Sequence, residues 1–484
     1  MLLTFLIAIP LLTACFIALL QTKHSRLIEK VVLVSSALEL GFILLLLPSV
    51  VRFGSVEASA LFSLDPLGAF LILVTALVGF FASWYSVGYL RAEVAKEIIG
   101  PHRVRQYFLS LKLFFFAMFL AVATTSPIIM WITIEATTLS TAFLISFYNK
   151  ASATEAAWKY LIINSLGLLL SLLGTLLFLA LPEMREGSLT WDMLRENMAL
   201  MEPLIVKIAF VFVLVGYGTK VGFVPLHTWK PDTYSKAPTP IAALLSSVLL
   251  NVAFLAILRF KGLTDGVLGS NFAGELLIFF GVLSIAFAGL LMFSQKNYKR
   301  LLAYSSIEHA GLIALGFGFG GLGTLAALFH MLYHSLAKAL IFFVAGNIFL
   351  KYSSTKIAQV TGMLSVLPVT APVFFIAFLA VLGFPPFGLF MTEFLLLSSG
   401  MAEYPWVVAF VLLMLAIIFL GFLRHLTKML FGSAPEGIER GESNMLTQWP
   451  VLLLAGLFLV LSWHVPEILS TLIEMAVTHL SLHP

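Results

Sequence analysis

The chain has 484 residues, 60% of them hydrophobic and only 11% charged, with a formal net charge of +4. A soluble domain could not solvate such a surface, so the composition marks a polytopic membrane protein in a lipid bilayer, and the small net charge gives no reason to expect nucleic acid. The single cysteine, Cys15, excludes an internal disulfide and cysteine-ligated zinc or iron–sulfur centres, and no Gly-rich phosphate loop follows a strand-like run.

Apolar runs of spanning length recur along the whole chain. The first, 2–21, lacks a basic leader and a small-residue cleavage site, so a membrane helix is expected there and not a cleaved signal. Further helices are predicted at 28–50, 65–90, 107–125, 127–149, 156–181, 203–226, 239–260, 273–294, 300–319, 322–350, 366–398 (interrupted), 406–430 and 449–466, about 14 in all. The tail from 467 to 484 reads as mildly amphipathic and suited to a surface.

Two of these helices are punctuated in the same way. The seventh carries Lys220 and runs into Pro225, His227, Pro231, Pro238 and Pro240; the twelfth is interrupted by GFPPFG at 383–388, with Glu393 beyond. Proline removes a backbone donor and frees a carbonyl, which is tolerable only where the helix lines a polar space inside the protein. Two broken helices at corresponding places predict an all-α fold with two inverted five-helix repeats, helices 4–8 and 9–13. The expected organisation is a single transmembrane domain, 1–484. Within it lie N-terminal helices 1–3 at 1–106, a first repeat at 107–260, a second at 273–430, and helix 14 with the tail at 449–484.

Lysine and arginine gather in the loops of one side. Lys23, Arg26, Lys30, Arg91, Lys96, Arg103, Arg105, Lys150, Lys230, Lys236, Lys296, Lys299, Arg300, Lys351, Lys356, Arg424, Lys428 and Arg440 fall there, against Arg52, Arg185, Arg195, Arg259 and Lys261 on the other. The positive-inside rule then places both termini outside a prokaryotic cell (inner) membrane. The loop at 182–202 is acidic (Glu183, Glu186, Asp192, Glu196, Glu202), which suits the outer side.

Ionisable residues inside apolar runs are costly and by default functional. Glu135 lies within WITIEATTLS (131–140), Lys220 in helix 7, Glu308 and His309 in helix 10, His330, His334 and Lys338 in helix 11, and Glu393 in helix 12. His330, His334 and Lys338 are spaced by four and share one helix face. Such a stripe can pass protons through intervening water. A metal site is the competing reading of the two histidines, but no glutamate follows His330 and Lys338 on the same face would repel a cation, so no metal is expected. Glu135 and Lys220 are of opposite sign, and a pair between them would lower the cost of burying each. Glu308, His309 and His227 are secondary candidates: the first two lie near the loop at Lys299, and His227 sits at a helix end among prolines.

These residues resemble the proton-translocating antiporter-like subunits shared by respiratory complex I, Mrp-type cation/proton antiporters and membrane-bound nickel–iron hydrogenases. The resemblance is carried by Glu135 in its motif, GTKVGFVPLHTW at 218–229 with Pro231-Asp232 and APTP at 237–240, KRLLAYSS at 299–306 and FHMLYHSLAKAL at 329–340. GFPPFGLFMTEF at 383–394 looks most like the F-type subunit of hydrogenase-4 and formate hydrogenlyase-like complexes. The resemblance implies that Glu135 pairs with Lys220, that His330, His334 and Lys338 form a central chain, and that Glu393 ends the exit path. It departs at SSVLLN (246–251), where several relatives carry a lysine or histidine and this chain has Asn251; a link from Lys220 to helix 11 must then use water or other groups.

The implied function is translocation of protons, with sodium as the alternative ion, in a multi-subunit redox complex. The chain itself would hold no cofactor. A nickel–iron centre and iron–sulfur clusters would sit in a peripheral hydrogenase or dehydrogenase arm, beside other membrane subunits of a complex I-like assembly. The alternatives are an Mrp-type antiporter subunit without redox chemistry and a structural membrane subunit whose charges only pair. A solute carrier fits poorly, because the polar groups form a row and not one pocket.

Overall fold

The computed structural model describes residues 1–21, 24–180, 189–442 and 444–481. Lys23, Glu183, Arg185 and Glu186, used above to orient the chain, lie outside the described residues. Among those described, 13 helices are long and apolar enough to cross a membrane, and two shorter apolar helices, Thr370–Val381 and Gly388–Gly400, together form the interrupted one. The chain is an all-α multi-pass membrane protein.

Helices α1 (Leu2–Leu19), α2 (Ser25–Phe53) and α3 (Pro66–Ala95) come first, with a small antiparallel hairpin, β1 (Val56–Ser59) and β2 (Phe62–Leu64), between α2 and α3. Alternation over so few residues was too weak to predict the hairpin. Then follow α4 (Pro101–Ala123), α5 (Pro127–Ile145), α6 (Ala151–Phe178), the short α7 (Trp191–Glu196), α8 (Pro203–Val221), α9 (Trp229–Lys236), α10 (Thr239–Ser247) and α11 (Leu249–Leu268). The second half holds α12 (Asn271–Met292), α13 (Tyr298–Phe319), α14 (Leu322–Tyr352), the four-residue α15 (Met363–Val366), α16 (Thr370–Val381), α17 (Gly388–Gly400) and α18 (Pro405–Leu430). α19 (Met445–Trp463) and α20 (Glu467–Ser481) complete the chain. The amphipathic tail is α20, which packs Leu469, Leu472 and Ile473 inward and lies against α3.

Proline opens α3, α4, α5, α8 and α18, where its missing N–H costs nothing and its fixed φ suits a helix start. At α3 this is reinforced by Asp65, whose carboxylate accepts from Gly68 N at 2.9 Å and from Arg259 Nη1 at 2.6 Å. Burial pushes the Asp65 carboxyl up, but Arg259 outweighs that and, with the Gly68 amide and His479, holds it at about 2. α10 and α11 occupy the span predicted at 239–260 but reach Leu268, with an unforeseen break at Val248. No proline or glycine marks it; the Ser335 hydroxyl, 2.6 Å from the Met331 carbonyl, also comes within 3.1 Å of the Ser247 carbonyl that the break exposes.

Lipid offers no hydrophobic drive between helices, so close packing must come from small residues. A methyl at Gly174 would lie 2.6 Å from the Ala209 carbonyl of α8, and Gly167 faces Thr219 equally closely. In the second half, Gly281 of α12 and Gly311 of α13 oppose each other's carbonyls, where a methyl on either would come within 2.8 Å and 2.7 Å. α3, α10, α11, α13 and α14 are almost wholly buried, whereas α1, α2, α6 and α18 turn large apolar side chains outward. Glu308, His309, His330, His334 and Lys338, on α13 and α14, therefore lie in the centre of the bundle.

Candidate functional site

Each half breaks one helix with a glycine in the left-handed region. Gly222 (φ 84°) ends α8 and precedes a turn leading to α9; Gly383 (φ 61°) follows α16 and precedes α17. A Cβ is strained at such φ values. It would also overlap a neighbour: at Gly383 the Glu393 carboxylate, at Gly222 the end of the Lys230 side chain, 2.9 Å from Nζ. At each break, then, an ionisable side chain from the following short helix lies on bare glycine backbone.

In the first half, Lys220 is 1% exposed. Its ammonium donates to Thr138 Oγ1 at 2.7 Å and to the Tyr160 hydroxyl at 3.0 Å, and that hydroxyl is 2.7 Å from Thr141 Oγ1. Glu135, half-buried on α5, accepts from Ser165 Oγ at 2.7 Å, and its second oxygen has no hydrogen-bond partner among the described residues. The expected direct pair of Glu135 with Lys220 is not formed. Thr138, three residues along α5 from Glu135, takes the ammonium instead, and Ser165 of α6 takes the carboxylate. The two charges thus belong to one polar cluster, with hydroxyls between them.

In the second half, the face of α14 carries His330, His334 and Lys338, all fully buried, as the spacing predicts. Lys338 donates to Ser305 Oγ and, at 3.4 Å, to the Leu302 carbonyl of α13. His309 also belongs to this cluster, although its nearness to a loop had made it secondary. Its ring centroid is 5.0 Å from that of His334 and 5.1 Å from that of His330. Its Nε2 reaches the Val381 carbonyl, at the end of α16, at 3.0 Å. Its Nδ1 lies 2.9 Å from His330 Nε2, and His330 Nδ1 lies 2.9 Å from Thr392 Oγ1, next to Glu393.

These contacts admit two proton counts. The Val381 carbonyl can only accept, so His309 Nε2 carries a hydrogen. In a neutral pair His309 Nδ1 then accepts from His330, and His330 Nδ1 accepts from the Thr392 hydroxyl. If that hydroxyl turns to the Leu389 carbonyl, 2.9 Å away, His330 must donate through Nδ1, and the pair holds one proton more. A hydroxyl rotation thus separates two arrangements that differ by one proton. His309, His330 and Glu393 each bring one ligand atom within 4.8 Å of the others. That is within reach of a metal, but the two imidazole nitrogens face one another and are spent on hydrogen bonds.

Glu308 is buried on α13, one residue from His309. His227 sits in the turn after α8 between the rings of Phe287 and Tyr304, at 6.5 and 6.4 Å. Asn251 donates to Ser335 Oγ at 2.9 Å, beside His334 on α14. Lys230 and Lys299, counted above as loop charges, are instead buried in the bundle, 1% and 4% exposed. The Lys299 ammonium holds the Ala237 carbonyl at 2.7 Å. Both fall between predicted helices, at 227–238 and 295–299, and so counted as loop residues; that α9 folds back into the protein was not readable from the sequence. The pair Glu39–Lys112, joined at 2.8 Å between α2 and α4 with 4% and 0% exposure, was missed too. The signal was present, since each interrupts an apolar run.

Residues 124–419 match the family model described as NADH:quinone oxidoreductase/Mrp antiporter, TM. The chain is 42% identical over 353 residues to the "Hydrogenase-4 component F homolog" of Methylacidiphilum infernorum (isolate V4), covering 72% of this chain and 74% of that protein. It is 30% identical over 353 residues to "NADH-quinone oxidoreductase subunit N" of Desulforudis audaxviator (strain MP104C), covering 72% and 68%. Among solved structures, a chain of the membrane-bound sulfane sulfur reductase, an archaeal respiratory membrane complex, superposes with a TM-score of 0.89 at 25% identity, over 99% of this chain and 98% of that one. The match spans both broken helices and every buried charge from Glu135 to Glu393, and the chain belongs to the NADH:quinone oxidoreductase/Mrp antiporter transmembrane family.

Proposed function

We propose that this chain is the ion-translocating membrane subunit of a multi-subunit redox complex, resident in a prokaryotic cell membrane with both termini outside. The observation that carries the reading is the buried row of Lys338, His334, His309, His330, Thr392 and Glu393, in which His309, His330 and Thr392 are joined by successive 2.9 Å hydrogen bonds. Protons are the ion it suits, because imidazoles and hydroxyls in contact relay protons without displacing a hydrated cation. Glu135 and Lys220 form the loading cluster of the first half, and Glu393 at the second break is the release group. Electron transfer belongs to partner subunits, a peripheral hydrogenase or dehydrogenase arm holding nickel–iron and iron–sulfur centres. A change there shifts Lys220 between its Thr138–Tyr160 contacts and a proton-releasing position. Moving each charge against the membrane potential costs about 2.3 kcal/mol per 100 mV, which the redox step must supply.

The test is to purify the complex through a tag on this chain, reconstitute it in vesicles, add hydrogen or NADH, and follow internal pH. Turnover-dependent proton movement, collapsed by a protonophore, is expected. Ion exchange driven by a sodium gradient with no redox partner present would favour the antiporter reading, and no ion movement at all would leave a structural subunit.

A further inference from the structure

Asn251 cannot bridge the two clusters by proton exchange, because an amide neither gains nor loses a proton in this range. Between the halves the structure instead presents Lys230. Its side chain is 1% exposed, and its ammonium has no hydrogen-bond acceptor among the described residues. A buried ammonium with no hydrogen-bond acceptor is costly for a membrane protein, even with the Trp229 ring centroid 5.9 Å from it. A residue there for packing alone would be apolar.

Its position is set rigidly. Trp229 donates to the Thr219 carbonyl at 3.0 Å and Tyr234 to the Leu245 carbonyl at 3.0 Å, while Asp232 is gripped by Arg300 and, at 3.2 Å, by Lys159. This clamps α9 beneath the broken end of α8. Lys230 then lies along Gly222, two residues past Lys220, at the C-terminal end of a helix whose dipole favours a cation. From there it is within Coulombic reach of His334 and Lys338. His227 is also within its reach. Lys230 is also the counterpart of Glu393: each belongs to the short helix after a break and rests on that break's left-handed glycine.

We propose that Lys230 is the proton-carrying bridge between the Lys220 cluster and the α14 row. This rests on the translocation reading above and names the group that joins its two halves. A proton leaving the Lys220 ammonium is taken up through water by the Lys230 amine. The ammonium so formed gives it to an imidazole nitrogen of His334, neither of which has a hydrogen-bond partner among the described residues. One N–H bond breaks and one forms at each step, and charge is conserved.

The experiment compares Lys230→Met, Lys230→Arg and Lys230→His in the intact complex in vesicles, reading protons moved per electron, with Lys220→Ala alongside. Methionine keeps the stem, arginine keeps the charge but cannot release its proton, and histidine can exchange one. The expected result is a fall of at least about tenfold for methionine and arginine, with measurable pumping retained by histidine. Wild-type pumping in the methionine variant removes Lys230 from the path; in the arginine variant it reduces Lys230 to a fixed charge; equal loss in all three marks a packing role. Each overturns the proposal. If Lys220→Ala also pumps normally, the translocation reading itself fails; if Lys220→Ala stops pumping and Lys230→Met does not, only the bridge fails.

Discussion

Replacing Lys220 with alanine is expected to reduce proton movement by at least about tenfold while the complex still assembles. Assembly survives because, among the described residues, Lys220 hydrogen-bonds to hydroxyls alone: Thr138 and Tyr160 lose a donor, and Tyr160 keeps its 2.7 Å contact with Thr141. No buried carboxylate loses its partner, since Glu135 is held by Ser165. What disappears is the ammonium of the first cluster, two residues before the Gly222 break, that loads the proton onto the path. Native gels check assembly, and vesicle acidification at matched turnover checks function. An assembled variant that pumps normally would make the first cluster structural.

The second large effect is on stability. Lys112→Met is expected to destabilise the chain by about 3–5 kcal/mol, because it strands Glu39 in the bundle between α2 and α4. The pair is closed at 2.8 Å and nearly inaccessible, and Lys112 also donates to Ser36 Oγ at 2.8 Å. The double change Glu39→Gln with Lys112→Met removes both charges and is expected to recover most of that loss. Thermal unfolding of the purified protein in detergent, followed by loss of the monodisperse peak, measures both. A single variant as stable as the parent would contradict the reading of this pair as mutually dependent.

The lengths of the apolar runs and the two Gly/Pro interruptions made the fold legible, because both report directly on what lipid permits. The stripe on α14 was equally plain, since a spacing of four leaves no choice of face. What escaped were contacts that depend on how helices meet. Lys230 and Lys299 read as loop charges, but α9 folds back into the protein, carrying Lys230 inward and setting the Ala237 carbonyl against Lys299 of α13. His309 looked peripheral until α16 ended with its Val381 carbonyl against it. Glu135 and Lys220 were matched by charge, but Thr138 and Ser165 are close enough to satisfy each separately, and hydroxyls in a helix give no advance sign of which neighbour they will serve.

On the proposed reading, protons cross the middle of the chain along buried side chains. Lys338 is where that row begins on α14, donating to Ser305 and the Leu302 carbonyl. The most direct measurement is the proton-to-electron ratio of a Lys338→Met complex, with electron transfer and internal pH recorded in the same vesicles. A ratio near zero in an assembled complex is the predicted result. An unchanged ratio would contradict it and move the path elsewhere.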